Sequence, residues 1–330
     1  MGNVQGIGLL SGGLDSILAL HLLLDLGLRV ESMHAILPVH DPAQLDWVEK
    51  VTADLAVPLY TVSLEEKFFD RLRDPKHGYG SGMNPCLDCR ILVLQEARER
   101  MRQLGAAFVF TGEVVGERPM SQNLRAMRLV EQESGLEGRL LRPLSAQLLP
   151  PTIVEEEGLI DRSRLLAIKG RSRKPQFALA EKYGIADFPT PGGGCLLTDP
   201  GFSRRAEDLL NHMPEFDRND FDLLKVGRQF RVSSSTKVVS GRKKAENERI
   251  LELAREGDLL FEVRGYGSPI TLLRGEADPE AIATAAAITA RYSDAPGLHI
   301  VVRYGSSYPD LTRAIIVEPA ENDLLDRLRV

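Results

Sequence analysis

The sequence predicts an α/β protein: a parallel sheet covered by helices on both faces, followed by a smaller α+β module. Three observations predict it. The chain opens on an apolar run, a glycine pair and an amphipathic helix. Strand-like and helical patterns then alternate through the first half. Beyond about residue 213 the pattern changes to short strands around two helices.

Residues 4–10 form the first predicted strand, and the glycine pair Gly12-Gly13 turns it into a helix through Ile17-Leu18-Ala19-Leu20. A second strand is expected over 29–37, after which Asp41-Pro42 supplies an N-cap and a first helical residue for a helix reaching about residue 56. A short strand at 59–63, a charged amphipathic helix at 90–104 and a buried strand at 107–112 follow. Between them, 73–85 is rich in glycine and turn residues and reads as a mobile loop. The stretch 162–174 is strongly basic, and 188–199 is a loop punctuated by proline and glycine. A helix at 202–212 is expected to close a first domain of residues 1–212, with 213–222 as linker and 220–330 as the second domain. There, strands near 229–232, 237–239, 259–263 and 270–273 flank a helix at 245–255. A helix at 279–292 leads to strands at 299–304 and 313–317. Ligands of a parallel sheet bind at the carboxyl ends of its strands, where the glycine turn, Met33-His34 and Thr111-Gly112-Glu113 all fall.

With 330 residues, 43% of them apolar, the chain has ample core for two domains. A net charge of −6 excludes a polycation, so nucleic acid would have to meet local basic patches. Three cysteines are too few for a disulfide framework. No apolar run approaches a membrane span, and the first residues enter a strand at once without a signal-like segment. A cytoplasmic location, away from membranes, is expected.

Ser11-Gly12-Gly13-Leu14-Asp15-Ser16 lies between strand and helix. A helix start leaves N–H groups unpaired at the positive end of the macrodipole, and glycines let the backbone fold close around an anion. The pattern is a phosphate cradle, but no Gly-Lys-Ser/Thr follows, so it is not a Walker loop. Cys86 and Cys89 form a C-x-x-C pair before a helix, and Cys195 follows three glycines. Two thiolates on one turn plus a third can grip one metal or cluster. A helix start also lowers thiol pKa, so the same residues suit nucleophiles; buried small hydrophobes are the bland alternative. Three ligands favour a cluster with one open iron over a closed four-ligand zinc site.

The Ser11–Ser16 motif resembles the PP-loop of the ATP pyrophosphatases, which have an adenine nucleotide alpha hydrolase-like fold. The first 210 or so residues resemble the PP-loop tRNA sulfurtransferases, the 4-thiouridine synthases and 2-thiouridylases. The shared features are that motif, Asn84-Pro85-Cys86, Thr111-Gly112-Glu113 with Ser121-Gln122, and Leu141-Arg142-Pro143-Leu144. The resemblance implies that ATP adenylates a uracil carbonyl oxygen and that sulfur then displaces AMP. One branch uses two cysteines with a persulfide; another holds a [4Fe-4S] cluster through C-x-x-C and a remote cysteine, as Cys86, Cys89 and Cys195 would. The chain departs from the 4-thiouridine synthases in lacking their N-terminal RNA-binding region, which leaves the modified position open.

By the same resemblance Gly12, Gly13, Asp15 and Ser16 hold pyrophosphate, Ser11 adds a hydroxyl and Mg²⁺ offsets charge. Met33 packs on adenine or belongs to the core. Gly112 and Glu113 border the nucleotide, and Arg142 and Lys169 are candidates to stabilise phosphate charge. Cys86, Cys89, Cys195 and Asp15 are the catalytic candidates, while His34 and His77 read as structural.

The second domain resembles the NFACT-R RNA-binding unit through residues 239–248, Gly267-Ser268-Pro269 and the alanine-rich helix. Arg242, Lys243 and Lys244, in a run with Lys225, Arg228, Arg231 and Lys237, offer phosphate contacts, which give affinity without reading bases. The leading expectation is therefore an ATP-dependent tRNA sulfurtransferase using sulfide or a cysteine desulfurase as donor, with a homodimer as a candidate assembly. The alternative is a PP-loop enzyme that adenylates a small molecule for sulfur or amide transfer. A non-catalytic RNA-binding protein would leave an intact loop and three cysteines idle.

Overall fold

A computed structural model describes residues 4–188 and 195–330, and the chain divides into two compact units, 1–198 and 199–330. In the first, β1 (Gly6–Leu9), α1 (Leu14–Asp25), β2 (Val30–Ile36), α2 (Ala43–Asp54), β3 (Leu59–Ser63) and α3 (Glu65–Arg73) follow in order. Then come α4 (Cys86–Leu104), β4 (Phe108–Thr111), α5 (Leu124–Ser134), the two-residue β5 (Leu140–Leu141), a short α6 (Ile153–Glu156) and α7 (Lys174–Lys182). The five strands pair in parallel in the order β3-β2-β1-β4-β5.

Glycine on β1 has a steric cause. Gly6 and Gly8 stand opposite Phe108 and Phe110, and a Cβ on either would lie 2.3–2.9 Å from those rings. The rings instead pack with Leu14, Ile17, Leu18 and Val48 on one face. Ile7 and Val109 point to the other, against Ile91, Leu94 and Val130. The order in which strands are added reverses about β1, since β2 and β3 lie on one side and β4 and β5 on the other, and this opens a crevice at the carboxyl ends of β1 and β4. Helix α4 precedes the parallel strand β4, so its N-terminus lies at that same edge.

In the second unit α8 (Pro200–His212) and α9 (Arg218–Leu223) lead into β6 (Arg228–Ser233), β7 (Thr236–Ser240), α10 (Lys244–Leu253), β8 (Leu259–Glu262) and β9 (Thr271–Gly275). α11 (Pro279–Arg291), β10 (Ile300–Gly305), β11 (Arg313–Val317) and α12 (Asn322–Leu328) complete it. Its antiparallel sheet runs β11-β10-β8-β9-β7-β6. Neighbouring residues serve opposite faces: Val238 and Leu273 pack on α11, while Val239 and Leu272 pack on Ile250 and Leu253 of α10. Among the described residues no helix is long and apolar enough to cross a membrane.

Three expectations change. Helix α8, expected to close the first domain, belongs to the second unit, and the expected linker contains α9, whose capping box pairs Asp217 with Asp220. The helix expected from residue 90 starts at Cys86, so the C-x-x-C pair occupies its first turn. The loop 73–85 is tied down. Asp88 accepts from the N–H groups of Lys76 and His77 at 3.1 and 3.0 Å, and Asn84 Oδ1 accepts from Gly82 N–H at 2.9 Å.

Candidate functional site

The turn Ser11–Gly13 is shaped by partners on α2. Gln44 donates to the Ser11 carbonyl, Trp47 Nε1 donates to the Gly12 carbonyl at 3.0 Å, and Ser16 Oγ donates to the Gly13 carbonyl at 2.7 Å. In a trans peptide the N–H points opposite the carbonyl, so the Gly12 and Gly13 amides face away from α2, the Gly13 N–H donating to Ser11 Oγ at 3.4 Å. Gly12 makes this possible at φ +77°, with Trp47 only 3.1 Å from where a Cβ would sit. Ser11 Oγ lies 3.3 Å from Ser16 Oγ, which places both hydroxyls on the cradle.

Gly112 closes the crevice from β4. A Cβ there would stand 2.3 Å from the Asp15 carbonyl carbon and 2.5 Å from Ser16 N. Backbone cannot yield as a side chain does. Gly112→Ala is expected to cost about 1–3 kcal/mol as overpacking and to weaken nucleotide binding through the displaced loop; thermal melts with and without ATP check both.

Asp15 is the acid of the cradle motif itself. Burial raises its carboxyl pKa, against the opposing pull of Arg173. One oxygen sits 3.5 Å from Arg173 Nη2, and the other, Oδ1, is buried without a hydrogen-bond partner among the described residues. Glu117 joins it 3.7 Å from Arg173 Nε, its own pKa raised by burial and by Asp15. Gln176 on α7 is fully buried beside Asp15, with both amide atoms unpartnered among the described residues. An orphaned carboxylate oxygen next to turned-in amides fits a divalent cation carrying phosphate. Glu117, Arg173 and Gln176 escaped the sequence reading; the only local signal, for Arg173, is the basic run ending at Lys174.

Other expected residues are engaged elsewhere. Met33 is buried, its side chain in the core cluster that includes Ile7 and Ile91. Arg142 is buried, bonded to Glu113 at 3.0 Å, Glu131 at 2.8 Å and the Met127 carbonyl at 3.0 Å, so its charge is spent inside the fold rather than on phosphate. Lys169 is exposed and pairs by backbone with Val115. His34 Nδ1 is 2.8 Å from the Leu10 carbonyl, and His77 pairs with Glu133 at 3.2 Å. Glu113 takes Thr111 Oγ1 and Arg142 on one oxygen and faces Arg90 Nε at 3.2 Å with the other. Burial would raise its carboxyl, but Arg90 and Arg142 together hold it below its usual range.

Arg90 follows Cys89 directly, so Glu113 links the cysteine turn to Gly112 and hence to Asp15. Cys86 Sγ lies 3.0 Å from Asn84 Nδ2. Burial pushes the Cys89 thiol up to about 12, with Cys195 and Cys86 adding to the rise. Burial likewise takes Cys195 to about 11, and Cys86 adds to it. The helix start does not lower these two thiols, because desolvation outweighs the dipole. The three sulfurs are thus close enough to feel one another's charge, and Cys195 begins a 3₁₀ turn over Leu196–Thr198. The glycines before it, 192–194, lie outside the described residues. Among the described residues no trio of His, Cys, Asp or Glu stands ready-made as a metal site. By donor type, thiols that burial keeps protonated would ionise on binding a soft cation.

The basic run of the second unit is largely neutralised. Arg242 is bound to Glu246 at 2.5 Å, Lys225 to Asp222 at 2.6 Å and Arg231 to Asp208 at 2.7 Å, while Lys237 is buried. Arg228 stacks 4.0 Å over the Tyr292 ring. Lys243 and Lys244 stand exposed. Burial drives Lys237 down to about 8, Asp208 partly opposing it. Its charge therefore weakens the fold most below pH 8, and the loss fades as pH rises from 8 toward 10.5. Lys237→Met should raise stability at pH 7 by roughly 2–3 kcal/mol and abolish that pH-dependent gain, as urea titrations at pH 7 and 10 would register.

Residues 2–147 match the family model of the thiamine biosynthesis protein (ThiI), and 227–328 match that of the NFACT protein RNA binding domain. Among curated relatives, tRNA-specific 2-thiouridylase MnmA of Syntrophotalea carbinolica is 32% identical over 114 residues, 31% of this chain and 32% of that protein. MnmA 1 of Caldanaerobacter subterraneus subsp. tengcongensis is 28% identical over 129 residues, 32% of this chain and 34% of that protein. The chain thus spans about a third of the length of the curated relatives it matches. Among solved structures, a predicted subunit of tRNA methyltransferase from Methanocaldococcus jannaschii aligns at 15% identity over 54% of this chain and 76% of that one, with TM-score 0.35. A glutamine-dependent NAD⁺ synthetase from Acinetobacter baumannii aligns at 13% identity over 68% and 40%, with TM-score 0.34.

Proposed function

The chain carries a PP-loop domain of the ThiI type followed by an NFACT RNA-binding domain, and from that premise we propose that it is an ATP-dependent tRNA uridine sulfurtransferase. One observation supports the proposal: the Arg90–Glu113 pair and the Gly112–Asp15 contact connect the C-x-x-C turn of α4 to the Ser11–Ser16 loop within one unit.

The reaction has two displacements. A uracil carbonyl oxygen attacks the α-phosphorus of ATP, the α–β bond breaks and pyrophosphate leaves. Sulfide then attacks the activated ring carbon, and the carbon–oxygen bond to AMP breaks. The amides of the Ser11–Gly13 turn and the Ser11 and Ser16 hydroxyls receive the pyrophosphate, stabilising charge as it develops. Asp15, whose Oδ1 has no hydrogen-bond partner among the described residues, would hold Mg²⁺, and the ion's charge would offset the burial of the carboxylate. Arg173, 3.5 Å from Asp15 and 3.7 Å from Glu117, would supply a positive charge beside the phosphates. Cys86, Cys89 and Cys195 would hold a [4Fe-4S] cluster, which would supply a place for sulfide beside the nucleotide. Glu113 and Arg90 keep the C-x-x-C turn in register with the nucleotide. Lys243 and Lys244 meet the tRNA backbone.

Anaerobic incubation of the purified chain with ATP, Mg²⁺, sulfide and unmodified tRNA tests the reading. Pyrophosphate release that depends on tRNA, together with a thiouridine in the digested nucleosides, is the expected result. Release driven by a small-molecule acceptor, with no thionucleoside, would overturn it in favour of a cofactor- or amide-forming enzyme.

A further inference from the structure

In the second unit the cross-strand pair Arg231 and Lys237 stands directly opposite in the β6–β7 register. Like charges in that position repel. Both converge on one carboxylate, Asp208 of α8, at 2.7 and 3.5 Å, and His212 adds its ring at 3.4 Å. Arg205 on the same helix feels the charges of Arg242 and Arg204 and reaches Lys237 with its own. Five cationic side chains, Arg204, Arg205, Arg231, Lys237 and Arg242, thus surround three carboxylates, Asp199, Asp208 and Glu246. Two of those carboxylates are already occupied, Asp199 capping α8 through the Phe202 N–H and Glu246 binding Arg242.

Two donors are left over. Lys237, 3% exposed, has its Nζ buried without a hydrogen bond, and the half-buried Arg205 has Nε in the same condition, among the described residues. Lys237 and Arg231 share the single carboxylate of Asp208, so the buried positive charge is only partly balanced, and an arriving anion would complete the balance. We propose that this cationic cluster on α8, β6 and β7 binds a phosphate group, supplied by the backbone of the bound RNA. Arg205 makes the contact, and Lys237 and Arg231 provide the field behind it. A single oxyanion would give both leftover donors a partner and balance the like-charged strand pair. A phosphodiester carries such an oxyanion at every nucleotide, so the cluster would add affinity without reading sequence.

The choice of RNA as source rests on the proposed function; the cluster itself does not. The test uses the full chain and the variants Arg205→Gln and Lys237→Met, the second removing charge without opening a cavity. Inorganic phosphate, against chloride at equal ionic strength, should raise the melting temperature of the parent chain more than that of either variant. Fluorescence anisotropy with unmodified tRNA across a KCl series should show three- to tenfold weaker binding for Arg205→Gln. The slope of log K on log salt should fall by about 0.9. ATP-dependent pyrophosphate release at saturating tRNA should survive in both, so a failure here is distinct from a failure of the thiolation reading. Loss of the phosphate effect with tRNA affinity and slope unchanged would give the cluster to free phosphate and overturn the RNA assignment. An equal phosphate response in all three proteins would overturn the cluster as a phosphate site.

Discussion

Asp15→Asn is expected to reduce pyrophosphate release roughly a hundred- to thousandfold while leaving the melting temperature unchanged or higher. The two effects separate because they arise from opposite properties of one carboxylate. In the chain without nucleotide, burial raises the Asp15 pKa, so its ionised form lowers stability, and that loss disappears as acid protonates it. Asparagine keeps the shape and removes the charge, so the fold loses nothing; Arg173 keeps Glu117 as a partner. With ATP present the same charge is what Mg²⁺ and the departing pyrophosphate require, and the amide cannot supply it. Melting curves and a pyrophosphate assay on one preparation decide the matter. A variant that turns over at the parent rate would remove Asp15 from the chemistry, and one that fails to fold would contradict the burial account.

The cradle was legible because it is local. Ser11–Ser16 spans six residues, and its hydroxyls and glycines act on neighbours in the chain. What positions it was not legible. Gln44 and Trp47 lie on an ordinary amphipathic helix, and nothing in their spacing announces that they hold two carbonyls of the loop. Gln176 and Arg173 come from about 160 residues away and resemble any polar residues at a helix start. Arg142 shows the converse: an arginine in a familiar stretch invites a phosphate role, yet Glu113 and Glu131 absorb it. The basic run of the second domain was overcounted for a similar reason. Asp208 and Asp222 lie outside the run in sequence but beside Arg231 and Lys225 in space. Pattern reading finds periodic elements and contiguous motifs; charge balance depends on contacts that the sheet creates across the chain.

Single alanine substitutions at Cys86, Cys89 and Cys195 are each expected to abolish thiouridine formation while tRNA-dependent pyrophosphate release persists. The cradle is built from the Ser11–Ser16 turn, α2 and Gly112, and none of the three thiols contributes a hydrogen bond to it. Removing a sulfur therefore stops the second displacement and spares the first. Burial at Cys89 and Cys195 makes free thiolates scarce at neutral pH, with the thiols pushed to about 12 and about 11. A bound metal centre would ionise them outright, whereas a persulfide route would need one to ionise unaided. Anaerobically reconstituted parent protein should accordingly hold about four irons per chain and absorb broadly in the visible, and each alanine variant should lose both. Two indispensable cysteines with a dispensable third, and thiolation that survives iron chelation, would instead assign the chemistry to a persulfide and its resolving thiol. Tight zinc in place of iron would sink the cluster, because a closed zinc site offers sulfide no open position.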